Sequence, residues 1–283
     1  MLFRFSKGEF AIMRCVQCDL ECANPLPSER ELAQIYERGY FAGGGSGYVD
    51  YFEGEREVSA QKSRVRMDAL EHHGLAPHSR ILELGSANGG FLQQALSRGH
   101  TALGVEGSAE ARAAASPEVM PYLRSHLSEI ISEKPEHTSD QRFDAFAAFD
   151  VLEHLRSPMA ELRAVRALLR PSALVAVVVP VIDNGNARYW PSTWDQYKPP
   201  EHLWYFSVES LAMTLKRSLG ASILSVTSAW CRPSRLLHTG FGVKQYRALA
   251  KAEARCWLWL THNGCISPQL LDDSVLMIAQ LEP

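Results

Sequence analysis

The segment RILELGSANGGF, Arg80 to Phe91, constrains the fold more than any other part of the chain. It predicts a buried strand that ends at Gly85 in a glycine-rich turn and opens a helix over 91–98. Such a turn aims backbone N–H groups at a ligand and lets it approach the main chain closely, as in nucleotide-binding crossovers. Before it, a helical stretch runs from about Glu57 to Gly74. After it come a strand (101–106), a helix (108–115), a weak strand near Tyr122 and a strand (143–149). A helix follows over 158–169, with Ser157 to cap it, Pro158 at its first position and Pro171 to stop it. An apolar strand (173–179), a helix (211–219) closed by Gly220 and strands at 222–228 and 274–281 complete the pattern. Strands that alternate with helices and are apolar on both faces imply a parallel sheet covered on both sides. About seven strands are expected, with insertions at 183–206 and 231–271.

At 283 residues the chain allows one large α/β domain with additions or two small domains. Residues 1–56 read as an extension to a 57–283 domain. They hold three cysteines, a helix begun by Ser28 and Glu31 at capping-box spacing and running to about Arg38, and a loop rich in glycine and aromatics from Gly39 to Phe52. Tyr40, Tyr48 and Tyr51 in that loop are candidates to close over a ligand. The net charge of -3 argues against bulk binding to nucleic acid or a membrane surface. The longest apolar run, 172–182, is broken by Pro180 and falls short of the roughly 20 residues a spanning helix needs. Arg4, Lys7 and Glu9 interrupt the N-terminus, so no secretory signal core is seen and a cytoplasmic protein is expected. Its six cysteines, at 15, 18, 22, 231, 256 and 265, are too scattered for a disulfide framework and are expected as free thiols.

Two acids mark the ligand. Glu106 closes the second strand, where a carboxylate can accept from both ribose hydroxyls of a bound nucleoside. Glu83 lies in an apolar strand, where an unpaired carboxylate is costly, so it must meet N–H groups of the turn or an amino group of the ligand. Gly85, Ala87 and Gly90 give a degraded dinucleotide spacing, which keeps a nicotinamide-dependent oxidoreductase open.

The segments ELGSANGGF, GVEGS, DVLEHL, LLRPSALVAVVVP and EHLWYFSVESL, in this order, resemble the class I S-adenosylmethionine (SAM)-dependent methyltransferases. The likeness is to the small-molecule group related to ubiquinone-biosynthesis O-methyltransferases, over roughly 57–230 and the final strand. It implies a Rossmann-like, seven-stranded, mostly parallel sheet with helices on both faces, an antiparallel last strand and lid insertions. It implies SAM as cofactor and S-adenosylhomocysteine as product. Glu83, Gly85, Ser86, Ala87, Asn88 and Gly89 match the first SAM-binding motif. Glu106, Gly107 and Ser108 match the ribose site, Phe149 and Asp150 the lining of the methionine part, and His126 and Leu127 the adenine position, where many relatives carry an acid.

Methyl transfer needs nucleophile, methyl and sulfur held in line, and a hydroxyl acceptor also gains from a general base. His154 and His202 are the candidate catalytic bases. Each reads equally as a histidine that packs against the cofactor loop or holds the lid. The aromatic insertion 187–206 offers Tyr189, Trp190, Trp194, Tyr197 and Trp204 as walls for an acceptor or as rings packed on the domain surface. The leader RCVQCDLECANPLPSERELAQIYERGYF resembles one that carries a zinc ribbon in some relatives, but only Cys15 and Cys18 form a C-x-x-C pair, with Cys22 nearby. A structural zinc takes four ligands, so neither zinc nor another metal is expected. Lys244, Arg247, Lys251 and Arg255 share one helical face, read as solvated or as a dock for an anionic acceptor, a carrier protein or a nucleic acid. The expected reaction is methylation of a small-molecule acceptor, foremost at oxygen, in metabolite biosynthesis. N- or C-methylation and a carrier-bound or macromolecular acceptor are the alternatives; a membrane partner is not expected, nor is nucleic acid.

Overall fold

The structure is a computed structural model that describes residues 1–37, 56–132, 141–184, 187–188, 191–229 and 274–283. Tyr40, Tyr48, Tyr51, Tyr189, Trp190 and the basic face at 244–255 lie outside the described residues.

The main sheet holds β4 (Arg80–Leu84), β5 (Thr101–Val105), β6 (Leu123–Arg124), β7 (Phe143–Phe149), β8 (Leu169–Pro180), β10 (Ala221–Ser228) and β11 (Ser274–Leu281), in the order β10-β11-β8-β7-β4-β5-β6. Pairing is parallel from β8 through β6, and β11 runs antiparallel between β10 and β8. This is the expected seven-stranded architecture. Period-two alternation divides the strands between two cores. Phe146, Ala148, Val175 and Val177 join Leu162 and Val165 of α6 (Pro158–Arg166) and Leu211 and Leu215 of α7 (Val208–Leu219) on one face. Ala145, Ala147, Phe149 and Leu174 join Met67 and Leu70 of α2 (Arg56–His72) and Phe91 and Leu92 of α3 (Gly90–Ser97) on the other. Each fully buried Leu or Phe of these cores contributes roughly 1.5–3 kcal/mol. Two further short helices, α4 (Ala109–Ala113) and α5 (Leu127–Ser132), lie between β5 and β7 in the chain.

The helix starts and stops follow local chemistry, with two corrections. Ser28 and Glu31 form the reciprocal capping bonds of α1 (Glu29–Glu37), and Ser207 and Ser210 form a capping box on α7, which Gly220 ends at φ 67°. Ser157 stands at the N-cap of α6, yet its side chain makes no capping bond. Pro171 does not stop that helix, which ends at Arg166. It lies inside β8, where the register slips between the Phe143–Leu169 and Ala145–Leu174 pairs. An exposed irregularity of that kind tolerates a residue without an N–H.

The N-terminal region departs most from expectation, since its strands carry no strong alternation. β1 (Leu2–Lys7), β2 (Phe10–Arg14) and β3 (Glu21–Asn24) form an antiparallel meander, and β3 pairs with β9 (Trp204–Tyr205) from the aromatic insertion. The extension and the insertion, separate in sequence, therefore build one four-stranded sheet. No helix among the described residues is long and apolar enough to cross a membrane.

Candidate cofactor and acceptor site

The turn after β4 is tight. Gly85 and Gly89 have φ of 73° and 78°, and a Cβ on them would stand 2.2 Å from Val151 and 2.3 Å from Val119. Only glycine satisfies both the conformation and the space. Gly85 and Ser86 both donate their N–H to the Val105 carbonyl, at 2.7 and 3.1 Å, which ties the turn to β5. Ala87 has a φ of 47°, in a region an L-residue occupies at some cost. Its N–H donates to Glu106 Oε2 at 2.9 Å, while the Ser108 N–H donates to Oε1 at 2.8 Å. Glu106 thus clamps the turns after β4 and β5 together. Burial raises its pKa, against the pull of those N–H donors and of Arg112. Each of its oxygens keeps a second acceptor direction for a ribose hydroxyl. Ser108 also caps α4, accepting from the Ala111 N–H, and a Cβ on Gly107 would meet open space.

Glu83 is buried at the end of β4, and its Oε2 has no hydrogen-bond partner. Burial pushes its carboxyl up to about 8, with the Arg66 guanidinium pulling the other way. Arg66, from α2, was absent from the sequence-derived set. Its guanidinium lies 4.3 Å from the centroid of the Phe149 ring and bonds Asp150 Oδ2 at 3.0 Å. Asp150 holds a φ of 58° as the chain turns off β7. Phe149, Asp150, Glu83 and Arg66 are thus brought together beside the glycine turn. The adenine pair separates: His126 is exposed, whereas Leu127 is buried in the core cluster that includes Leu84 and Val105.

Past Asp150 the chain brings the two candidate histidines into ring contact, 4.5 Å between centroids at 85°. His154 Nδ1 lies 3.1 Å from the Glu201 carbonyl and His202 Nδ1 lies 3.0 Å from the Gln196 carbonyl. A carbonyl only accepts, so both Nδ1 atoms carry the proton and the lone pair of each neutral ring is on Nε2. Burial lowers His154 to about 3 and holds His202 well below its ordinary range, so both are neutral near pH 7. Beside them lies Glu153, 2% exposed, with both carboxylate oxygens buried and without a hydrogen-bond partner. Burial, then the charge of Asp150, raises its pKa well above the carboxylate range. Glu153, His154 and His202 offer donor atoms within 4.8 Å of one another. Two imidazoles and a carboxylate are a donor set that suits a divalent transition metal. The sequence named both histidines but gave Glu153 no role and expected no metal; the signal was its place inside DVLEHL, next to His154.

Three of the aromatics named as acceptor walls are described. Trp194 and Tyr197 are 3% and 1% exposed and join Ile12, Ala187 and Tyr205 in the small sheet's own core. Their rings pack the lid rather than line an open surface. Trp204 is partly buried in β9 and donates its Nε1–H to the Leu155 carbonyl at 2.8 Å. Cys15, Cys18 and Cys22 are free thiols. N–H groups of Gln17 and Cys18 lower the Cys15 pKa, while burial raises Cys18 and Cys22. Among the described residues the cysteines form no metal-holding group.

Comparison with known proteins identifies the fold and the family. Residues 54–225 match the family model of a methyltransferase domain. Among solved structures, the chain is similar to the plantazolicin methyltransferase BamL, solved with a triazolic desmethylPZN analogue and S-adenosylhomocysteine (TM-score 0.55, 15% identity, 90% of this chain and 98% of that one). It is also similar to the Burkholderia thailandensis 1,6-didemethyltoxoflavin-N1-methyltransferase, solved with 1,6-didemethyltoxoflavin and S-adenosylhomocysteine (0.51, 17%, 99% and 99%). The [4+2]-cyclase SpnF shares the fold as well (0.55, 17%, 91% and 98%), so architecture alone does not fix the reaction. No curated protein matches the chain by sequence. With the family model covering more than half of its length, the chain belongs to the methyltransferase-domain family and is an S-adenosylmethionine-dependent methyltransferase.

Proposed function

We propose that the enzyme methylates a hydroxyl group of a small-molecule acceptor bound beside the His154–His202 pair. The observation that carries this reading is the buried Glu153–His154–His202 group, placed just beyond Asp150 at the end of the strand that lines the cofactor site. When bound, the cofactor supplies an electrophilic methyl on its sulfonium. The glycine turn and Glu106 receive its nucleoside end. Arg66 is placed to exchange its bond with Asp150 for the amino-acid carboxylate, and the orphaned Oε2 of Glu83 to accept from the amino group. A hydroxyl must lose its proton to become a good nucleophile, whereas a neutral amine need not. A pair of neutral imidazoles with their lone pairs on Nε2 therefore favours oxygen over nitrogen.

A second reading rests on the same group. Imidazoles held so far below their ordinary range are weak bases, and the three clustered donors favour a divalent cation that would lend Lewis acidity to the acceptor oxygen. The Burkholderia neighbour, an N1-methyltransferase, keeps a nitrogen acceptor as the alternative. Calorimetry with S-adenosylhomocysteine, followed by transfer from methyl-deuterated SAM to a panel of phenols, catechols and amines with and without a chelator, separates these readings. Binding and hydroxyl-selective transfer are expected. Transfer to amines alone would remove the oxygen preference, and absence of binding would remove the cofactor site.

A further inference from the structure

The loop that carries His202 is fastened at both ends to one acid of the N-terminal sheet. Glu21, on β3, is fully buried and accepts from Tyr197 Oη at 2.5 Å and from Arg4 Nε at 3.0 Å. Tyr197 directly follows Gln196, whose carbonyl accepts from His202 Nδ1. At the other end of the loop, Glu21 and Cys22 pair with Tyr205 and Trp204, and the Ala23 N–H donates to the Leu203 carbonyl at 2.9 Å. Tyr205 then turns its Oη back to donate to the carbonyl of His202 at 2.8 Å. The body of the enzyme supplies the remaining hold, since the N–H groups of Leu203 and Trp204 both donate to the Glu153 carbonyl, at 2.8 and 3.2 Å.

We infer that Glu21 is a positioning residue for His202, and that the N-terminal sheet is part of the acceptor site's framework. The inference rests on the reading of His202 as an acceptor-site group. The physical reason is how much of the loop the acid reaches. Residues 196–205 contain the Pro199–Pro200 pair and carry two short turns, with little regular structure of their own to fix a ring. The Tyr197–Glu21 bond fixes the carbonyl that sets the His202 tautomer and ring plane, and the β3–β9 pairing fixes the main chain after it. Tyr197 and Tyr205 rings pack 4.6 Å apart, and Phe5 of β1 meets Tyr197 edge-on at 4.9 Å, so the sheet holds the acid's partners as well. Buried polar networks of this kind specify a single arrangement when every member is satisfied.

The test uses full-length protein labelled with 15N-histidine, with the His202 Nδ1–H resonance assigned by its loss in His202→Gln. Glu21→Ala and Tyr197→Phe are each expected to shift or abolish that resonance while S-adenosylhomocysteine affinity stays within about twofold, as for sites with no shared partner. Glu21→Gln, whose amide oxygen still accepts from Tyr197, should restore it. An unchanged His202 signal in Tyr197→Phe, or a loss of cofactor affinity that parallels the loss of signal, would overturn the inference. If Glu21→Ala does not fold, Tyr197→Phe and Glu21→Gln decide. Failure of the wild-type protein to bind S-adenosylhomocysteine would instead remove the cofactor reading and leave the His202 measurement standing.

Discussion

The two sheets both bury carboxylates, and they treat them in opposite ways. In the small sheet Glu21 has a bond from Tyr197 on one oxygen and from Arg4 on the other. Along the C-terminal edge of the main sheet Glu83 keeps one oxygen without a partner and Glu153 keeps two. All three acids are buried, so the difference lies in how each is partnered. An acid satisfied from within holds the structure, whereas one left unsatisfied inside a folded domain marks where a ligand or ion completes the set.

The largest effect is expected from pH. The Glu83 carboxyl is raised in the folded state, so the stability from its neutral form is fully present below its ordinary value near 4.5 and lost as pH rises through about 8. Wild-type protein should therefore lose several kcal/mol relative to Glu83→Gln between pH 5 and 8, read by denaturant titration. His154 and His202 have the opposite sign: their neutral forms stabilise above the ordinary histidine value and that stability is lost on acidification. The comparison must accordingly be made between variants at each pH.

Next comes Glu21→Ala, which strands a buried Tyr197 hydroxyl and should cost about 3 kcal/mol of unfolding free energy. Glu153→Gln is the counterpart and should not lower stability at all, since no internal bond is lost. A destabilised Glu153→Gln would erase the distinction between the two regions. Arg66→Ala should weaken S-adenosylhomocysteine binding by about 2 kcal/mol, roughly thirtyfold, because a charged hydrogen bond to the carboxylate is removed. Its effect on the melting temperature should be slight, as the Asp150 side chain it pairs with is 47% exposed. The smallest non-zero effect belongs to Ala87→Gly, which relieves a left-handed L-residue but loosens the unfolded chain. The net change should stay under about 1 kcal/mol in a melt.

Legibility in the sequence followed the range of the interactions. β7 and β11 were bounded at the residues where they occur, because alternation and apolar runs are local signals. The Gly85 turn and the strand-end position of Glu106 are readable for the same reason, whereas the bonds by which Glu106 clamps the two turns are not. Nor is Arg66. It reaches Asp150 from a helix 84 residues earlier, and nothing around it in α2 sets it apart from Arg64 or Lys62. Sequence admits Trp194 and Tyr197 as wall or as packing, and their placement depends on Ile12 and Glu21, more than 170 residues away in the chain.

Sequence alone determined the main sheet, its glycine turn and the acid that follows β5, and it led to the expectation of two histidines at the sheet's C-terminal edge. All of these rest on hydrophobic period and on the steric needs of short segments. The pairing of the N-terminal strands with the aromatic insertion, and the clustering of the unpartnered Glu153 carboxylate with His154 and His202, emerge only once the chain is folded. Main-chain pairing between distant strands carries almost no side-chain signature. Whether a buried acid is satisfied depends on groups that meet only once the chain has folded.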